Sequence, residues 1–228
     1  MACPITIALA SVDKYQTLIA GLLALFGAWL TVRKLTEQIR QAETLEADRR
    51  ERRNLAARTV MPATLTELIE YAMACIHFLG QFHPRELGQV VAPEGVEAPR
   101  VPAEALLNLR ECVQFGDEIV AEVIADMMSQ IQIQHSRLAS ITRPRDGEII
   151  LPLNIEVCLV DAVEVYARAS KLFPYARRVP DAAPATPTIE DLRASVWHCH
   201  FDPEKEQAVQ ERIGRWIPNQ QRASFKYV

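Results

Sequence analysis

Three successive residues, His198, Cys199 and His200, carry the side chains in this sequence that are best suited to bind a metal ion. Imidazole nitrogen and thiolate sulfur are preferred zinc ligands, but a structural zinc site takes four of them, usually as two spaced pairs. The other histidines are isolated along the chain and supply no second pair. The sequence therefore favours a helix end with two surface histidines and a buried cysteine. A metal-binding or enzymatic domain that uses His198 and His200 is the alternative.

Motifs for phosphate binding, dinucleotide binding and common catalysis are missing from the sequence. It contains no GxxxxGK, GxGxxG, GxSxG, HExxH or CxxC pattern, each of which places specific groups around a ligand or nucleophile. Only eight glycines occur in the whole chain, and glycine is what tight phosphate-cradling turns require. The sequence therefore predicts no catalytic residue and no cofactor, and it favours a protein that is not an enzyme.

The most distinctive stretch is residues 15–32, YQTLIAGLLALFGAWLTV, which has no charged side chain in a chain that is 24% charged. As a helix it would rise about 27 Å, close to the roughly 30 Å of a bilayer core. Tyr15 and Trp29 lie near its ends, and Arg33 and Lys34 follow it. Aromatic rings and long basic side chains prefer the membrane interface. The sequence predicts a transmembrane helix in a lipid bilayer, with a buried soluble helix and a cleaved signal peptide as alternatives.

Small residues recur along this segment at steps of three and four, which places them on one face of a helix. Small faces let two helices approach closely in lipid. The sequence therefore predicts a possible homo-oligomer; a small oligomeric pore is a further alternative, weakened by the lack of polar residues in mid-span. The predicted oligomer face consists of Thr17, Ala20, Gly21, Ala24, Gly27, Ala28 and Thr31.

Residues 14–40, KYQTLIAGLLALFGAWLTVRKLTEQIR, resemble the N-terminus of bacterial inner-membrane proteins that have one span followed by a charged helix. The resemblance implies a bacterial inner-membrane location and no particular activity. Basic residues concentrate after the span and only Lys14 precedes it, so the positive-inside rule predicts an outside N-terminus and a cytoplasmic C-terminal domain. The basic residues after the span are Arg33, Lys34, Arg40, Arg49, Arg50, Arg52 and Arg53.

Charge and cysteine usage are consistent with a cytoplasmic domain. Residues 1–60 hold nine basic and six acidic side chains, a net charge of +3, whereas residues 61–228 hold 16 basic and 23 acidic ones, a net charge of −7. The acidic remainder would repel phosphates, so no nucleic-acid partner is expected. The five cysteines show no paired spacing, which is typical of free thiols in a reducing compartment.

Hydrophobic periodicity and the positions of proline and glycine predict an all-α chain. A single N-terminal transmembrane helix continues into a charged juxtamembrane helix, for which a solvated helix is favoured over a coiled coil, and an antiparallel helical bundle follows. Pro62 is expected to break or kink the chain, and one long helix, which Gly116 could weaken, is expected over residues 103–141. Spacing also predicts a capping box at Thr188 and Asp191, an apolar helical stripe after Pro62 and a polar stripe on the helix that Pro152 starts. The apolar stripe is Leu65, Leu68, Ile69, Ala72, Met73, Ile76 and Leu79, and the polar stripe is Glu156, Glu164, Arg168 and Lys171. The predicted parts are a periplasmic lead-in of little structure at 1–14, the span at 15–32, the charged helix at 33–61, the bundle at 62–176 with a long loop at 81–102, and a linker, two short helices and a loose tail at 177–228.

These features together predict a membrane-tethered helical interaction or scaffolding protein. Its acidic helical domain would present a surface to an unknown cytoplasmic protein partner.

Overall fold

The protein is described by a computed structural model. The described residues are 4–84, 90–91, 95, 97–143, 149–179 and 186–215. Within these ranges, only the backbone is described for residues 4–14, 17, 83–84 and 91. By its internal contacts the chain divides into two compact units, Met1–Arg52 and Arg53–Val228.

The described residues are almost entirely helical, which confirms the predicted all-α class. A minimal antiparallel pair joins the two-residue strands β1 (His83–Pro84) and β2 (Val90–Val91). The six described helices are α1 (Pro4–Gly80), α2 (Ala103–Phe115), α3 (Glu118–Thr142), α4 (Pro152–Ala176), α5 (Ile189–His198) and α6 (Pro203–Ile213).

Helix α1 differs from the sequence-based expectation at two places. It begins at Pro4 rather than near residue 15, because extending a helix costs far less than nucleating one and residues 5–20 contain neither glycine nor proline. It also continues through Pro62, so of the expected break or kink the break does not occur. There the hydroxyls of Thr64 and Thr66 donate to the carbonyls of Val60 and Pro62, at 3.3 and 3.0 Å.

The long helix expected over residues 103–141 is two helices, α2 and α3, separated at Gly116 and Asp117. The amide of Gly116 donates to the carbonyl of Cys112 at 2.8 Å and closes the last turn of α2. A Cβ at position 116 would lie 2.5 Å from that same carbonyl oxygen, so the turn requires glycine. The sequence predicted one helix that Gly116 could weaken, rather than two helices, because the hydrophobic rhythm continues on both sides of this glycine.

The unit formed by residues 53–228 has its core around helix α4. This helix packs against α3, α5 and α6, and the last part of α1 adds a buried stripe that the sequence predicted from its 3–4 spacing. Ile69 and Met73 of that stripe are half-buried, and its other members are buried: Leu65, Leu68, Ala72, Ile76 and Leu79.

An arginine of α1 caps the C-terminal end of α4. The guanidinium of Arg58 donates to the carbonyl oxygen of Tyr175 at 2.7 Å and lies 4.1 Å from the centre of the Tyr175 ring. A cation is favoured at a helix C-terminus by the exposed carbonyls and over an aromatic face by the ring quadrupole. Arg178 adds a 3.2 Å hydrogen bond to the Thr59 hydroxyl.

The described part of the predicted 81–102 loop is partly ordered. Besides the β1–β2 pair, the amide of Val90 donates to the carbonyl of Ile150 at 2.9 Å, which holds β2 against the residues that precede α4. Residues 85–89, 92–94 and 96 lie outside the described residues, as do most of the predicted linker and the predicted loose tail from residue 216 onwards.

Candidate functional site

The apolar segment of α1 is uncovered within the described structure. Its large side chains are between 41% (Leu30) and 69% (Leu25) exposed. Among the described residues, α1 is the one helix long and apolar enough to cross a membrane, and none of its apolar window is buried. Length and apolarity alone also describe signal sequences and core helices, but a core helix would be covered by its own protein.

Two of the predicted interface residues at the C-terminal end of this segment, Trp29 and Arg33, contact one another. The rings of Phe26 and Trp29 stack with centroids 5.9 Å apart, and the guanidinium of Arg33 lies 5.6 Å from the centre of the Trp29 ring. Lys34 forms a 3.0 Å ion pair with Glu37 one turn later. The apolar stretch therefore ends in an aromatic side chain with a cation over its face, an arrangement suited to the border between hydrocarbon and headgroups.

The described members of the predicted oligomer face are all exposed. A Cβ built at Gly21 or Gly27 would meet nothing within 4 Å, so this face is open to close approach by another helix. The Thr31 hydroxyl donates to the Gly27 carbonyl at 2.9 Å, which satisfies it within its own helix. The side chain of Thr17 lies outside the described residues.

The His198–Cys199–His200 sequence forms the end of α5 and the turn towards α6. The helix starts at a capping box, as predicted, in which Thr188 and Asp191 exchange side-chain and backbone hydrogen bonds. It ends at His198, and His200 adopts the left-handed conformation with φ of 50°. Both histidines are exposed, whereas the Cys199 thiol is buried, and burial raises its pKa to about 12.

A cleft of about 340 Å³ adjoins this turn and is lined by His77, Cys199, His200, Asp202 and Lys205, among others. The Lys205 ammonium donates to the carbonyl of Gly80 at the end of α1 and lies 3.9 Å from the Asp202 carboxylate. Within the described ranges, no group of three or more histidine, cysteine, aspartate or glutamate side chains is placed to hold a metal ion. The described residues therefore provide no set of metal ligands around His198 and His200.

A second concavity, of about 250 Å³, lies between the start of α4 and the start of α6. We call it the α4–α6 groove. Phe82, Val90, Ile155 and Leu159 form its apolar floor. Its remaining lining residues are Pro152, Glu156, Glu204, Lys205 and Ala208.

Sequence reasoning missed a polar network buried between α1, α3 and α4. Asp161 of α4 is 2% exposed and accepts hydrogen bonds from Gln130, at 3.2 Å, and from the Arg137 guanidinium. Nearby in the same core, the Tyr71 hydroxyl donates to Gln134 at 2.6 Å. Burial is the main reason that the pKa of Tyr71 is raised well above its ordinary value.

The predicted polar stripe of α4 is wrong at two of its four positions. Glu164 and Arg168 were expected on the solvated side with Glu156 and Lys171, but both are buried. The Arg168 guanidinium donates twice to one Glu164 oxygen, at 3.0 and 2.8 Å. The spacing of four residues could have suggested the pair. Its burial follows from the helices packed around α4, which periodicity within α4 does not reveal.

Comparison with known proteins found no matching family model, no similar curated protein and no similar solved structure. The resemblance of residues 14–40 to bacterial inner-membrane proteins therefore stays an expectation.

Proposed function

We propose that this protein is a membrane-tethered helical module that presents its C-terminal domain to a protein partner in the cytoplasm. Residues 15–32 cross the bacterial inner membrane once, with the N-terminus outside. The helices of residues 53–215 form an antiparallel bundle, consistent with the two-residue connection between α2 and α3 and with the packing of α3 on α4. The acidic surface of this domain is the part offered to the partner.

One observation carries the proposal: eighteen residues without a charge form part of a helix whose described side chains in this stretch are exposed. Leaving apolar surface in water costs about 25 cal/mol per Å², so a surface of this kind is favoured only where lipid or another apolar partner covers it. The contact between Arg33 and Trp29 at its end supports lipid as the covering medium.

Membrane fractionation of the full-length chain tests the tether and its orientation together. We expect the chain to resist extraction by alkaline carbonate. A C-terminal tag should be protected from external protease in intact cells and cleaved after permeabilisation. A chain found in the soluble fraction without detergent would overturn the proposal. So would a tag cleaved in intact cells, or a mature chain whose mass shows that residues 15–32 have been removed.

Crosslinking in membranes followed by affinity purification tests the role of the domain. The proposal expects one partner recovered at a stoichiometric ratio to the chain. Recovery of the chain alone, crosslinked only to itself, would contradict the partner-binding role.

We further propose that the chain associates with itself through the small-residue face of the span. The open space at Gly21 and Gly27 supports this. Ala24→Leu should block close approach and lower association measured by Förster transfer between labelled chains in vesicles, by about tenfold if the face supplies about 1.4 kcal/mol. Leu25→Ala, which changes size on a different face, is the matched control. An oligomer unchanged by Ala24→Leu would contradict self-association through this face.

A further inference from the structure

Helix α1 continues without interruption from the apolar segment into residues 33–52, a charged stretch with only three large apolar side chains. These are Leu35, Ile39 and Leu45, which are 54%, 50% and 63% exposed. At about 100° per residue, all three fall within about a third of the helix circumference. The small-residue face of the apolar segment occupies the same third. One face of α1 therefore runs continuously from the apolar segment into the charged stretch.

The side chains on this face change in size where the apolar segment ends. Within residues 18–32 the face holds only small residues, and every large apolar side chain lies on the other two thirds of the helix. After Thr31, the next residue on the face is Leu35. Two helices in lipid pack closely through small residues, whereas two helices in water need large apolar side chains between them. This change is the one expected if another helix covers the same face in both media.

Residues on this face recur at alternating steps of three and four, the heptad spacing of a coiled coil. The charged stretch alone holds fewer than two heptads from its first to its last large apolar residue, which by itself favours a solvated helix. Joined to the apolar segment, the pattern extends over more than three heptads, the length at which it indicates a coiled coil. The residues of the repeat are exposed, and we call them the α1 seam: Gly21, Ala24, Ala28, Thr31, Leu35, Gln38, Ala42 and Leu45.

The side chains that flank the α1 seam bring no like charges together. In two parallel helices of equal register, Lys34 lies beside Ile39 of the partner subunit, and Gln41 lies beside Glu46 of the partner subunit. Gln38 meets its own copy, and two amides can donate and accept hydrogen bonds between themselves. A polar pair of this kind fixes the register of a coiled coil. The charge pattern therefore suits a second copy of the same helix.

We propose that two copies of this chain form a parallel, in-register coiled coil along the α1 seam, inside the membrane and beyond it. This rests on the proposed span and its self-association, and it adds the contact outside the lipid. A second copy is the occupant because a common direction of insertion places the same face of both helices at the same height. Strict heptads give the pair a left-handed supercoil. The pair ends after Leu45, since Arg49 and Arg52 hold the next seam positions.

Cysteine crosslinking of the full-length chain in membranes tests the contact face. In a chain with Cys3→Ser, a single cysteine replaces Leu35 or Ala42 of the α1 seam, or Glu37 or Thr44 on the opposite face of the helix. The other four native cysteines are buried. A disulfide forms only between closely placed Cα atoms. Oxidation with copper phenanthroline should therefore join two chains at the seam positions at least about tenfold more than at the opposite positions.

The same experiment separates this proposal from the self-association that it extends. Crosslinks through Ala24→Cys and Ala28→Cys, with none through Leu35→Cys and Ala42→Cys, would overturn the coiled coil outside the lipid and leave self-association of the span standing. Equal yields on both faces of the helix would also overturn the proposal. An absence of crosslinks at all of these positions would overturn the coiled coil and the self-association together.

Charges placed in the α1 seam provide an independent measure. Leu35→Glu with Leu45→Glu removes two apolar contacts and sets each carboxylate against its own copy. It should lower association, measured by Förster transfer between labelled chains in vesicles, by at least about tenfold. Thr36→Glu with Thr44→Glu adds the same charge to the same stretch outside the seam and is the matched control. Residues 15–32 are unchanged in both variants. Equal transfer in the two variants would overturn the proposal.

Discussion

Residues 15–32 of α1 and helix α4 are opposites in both composition and burial. The α1 segment has no charged side chain and is exposed, whereas α4 contains Asp161, Glu164 and Arg168 and buries all three. Burial therefore does not follow from composition alone. It follows from what surrounds a helix: α3, α5 and α6 surround α4, and within the described structure the α1 segment has no such cover.

The two regions also differ in where their polar side chains find partners. In the domain some bond across helices, as Tyr71 does to Gln134 and Arg137 does to Asp161. Others bond within their own helix, as Arg168 does to Glu164. In the α1 segment the Thr31 hydroxyl donates within its own helix. On a helix surface that faces lipid, a hydroxyl that hydrogen-bonds within its own helix is favoured, because lipid offers no hydrogen-bond partner.

Breaking the buried pair of α4 should have the largest effect. Arg168→Met removes the guanidinium that neutralises the buried Glu164 carboxylate and should lower the free energy of unfolding by about 3–5 kcal/mol. The double variant Glu164→Leu with Arg168→Met removes both charges and should fall within about 1 kcal/mol of the original chain or exceed it. Chemical denaturation in mild detergent, followed by circular dichroism, measures both.

Arg100→Met provides the control for this comparison. It removes an arginine from an ion pair with Glu97 in which both side chains are more than 80% exposed, so a change below about 0.5 kcal/mol is expected. Equal destabilisation by Arg168→Met and by the double variant would show that the cost comes from lost packing rather than from the buried charge.

A charge placed in the apolar segment should have the next largest effect. Leu23→Arg puts a guanidinium near the middle of the proposed span and should make membrane insertion less favourable by about 2.5–3.5 kcal/mol. The chain fraction resistant to carbonate extraction reports this. Leu45→Arg is the matched control, since Leu45 is 63% exposed on the same helix but outside the segment. Loss of the membrane fraction in both variants would argue against a special role for residues 15–32.

The pH dependence of stability should come from the domain, which holds four buried thiols. Burial raises the pKa of Cys75 and Cys112 from 9.0 to about 11, and that of Cys158 and Cys199 to about 12. Because the unfolded thiols lose protons at lower pH than the folded ones, their contribution is fully present below pH 9 and is lost as pH rises towards 11–12. Unfolding monitored at pH 8 and 10 should show a loss of roughly 1 kcal/mol per thiol.

Cys199→Ala isolates one part of this pH effect. The variant should be less stable at pH 8 because it loses buried volume, but its stability should fall less steeply between pH 8 and 10 than that of the original chain. An unchanged slope would mean that groups other than the Cys199 thiol dominate the alkaline loss.

The sequence predicted the features that depend on residue spacing within one helix. It did not predict the features that depend on how separate helices pack together. The all-α class, the buried stripe from Leu65 to Leu79 and the Thr188 capping box follow from spacing along a single helix. For Gly116 the sequence indicated only that the helix could be weakened, because only the closeness of the Cys112 carbonyl shows that a side chain cannot fit there. The burial of Glu164 and Arg168 and the floor of the α4–α6 groove depend on helices distant in sequence, which no local pattern encodes.

The smallest expected effect concerns the internally bonded hydroxyl of the apolar segment. Thr31→Val keeps the shape of the side chain and removes only the hydrogen bond to the Gly27 carbonyl. That carbonyl also belongs to the backbone ladder of α1, so self-association in vesicles should change by less than about 0.5 kcal/mol. Förster transfer between labelled chains measures it beside Ala24→Leu. A loss with Thr31→Val as large as that with Ala24→Leu would mean that the hydroxyl bonds to a neighbouring helix, and the contrast with the cross-helix bonds of the domain would then disappear.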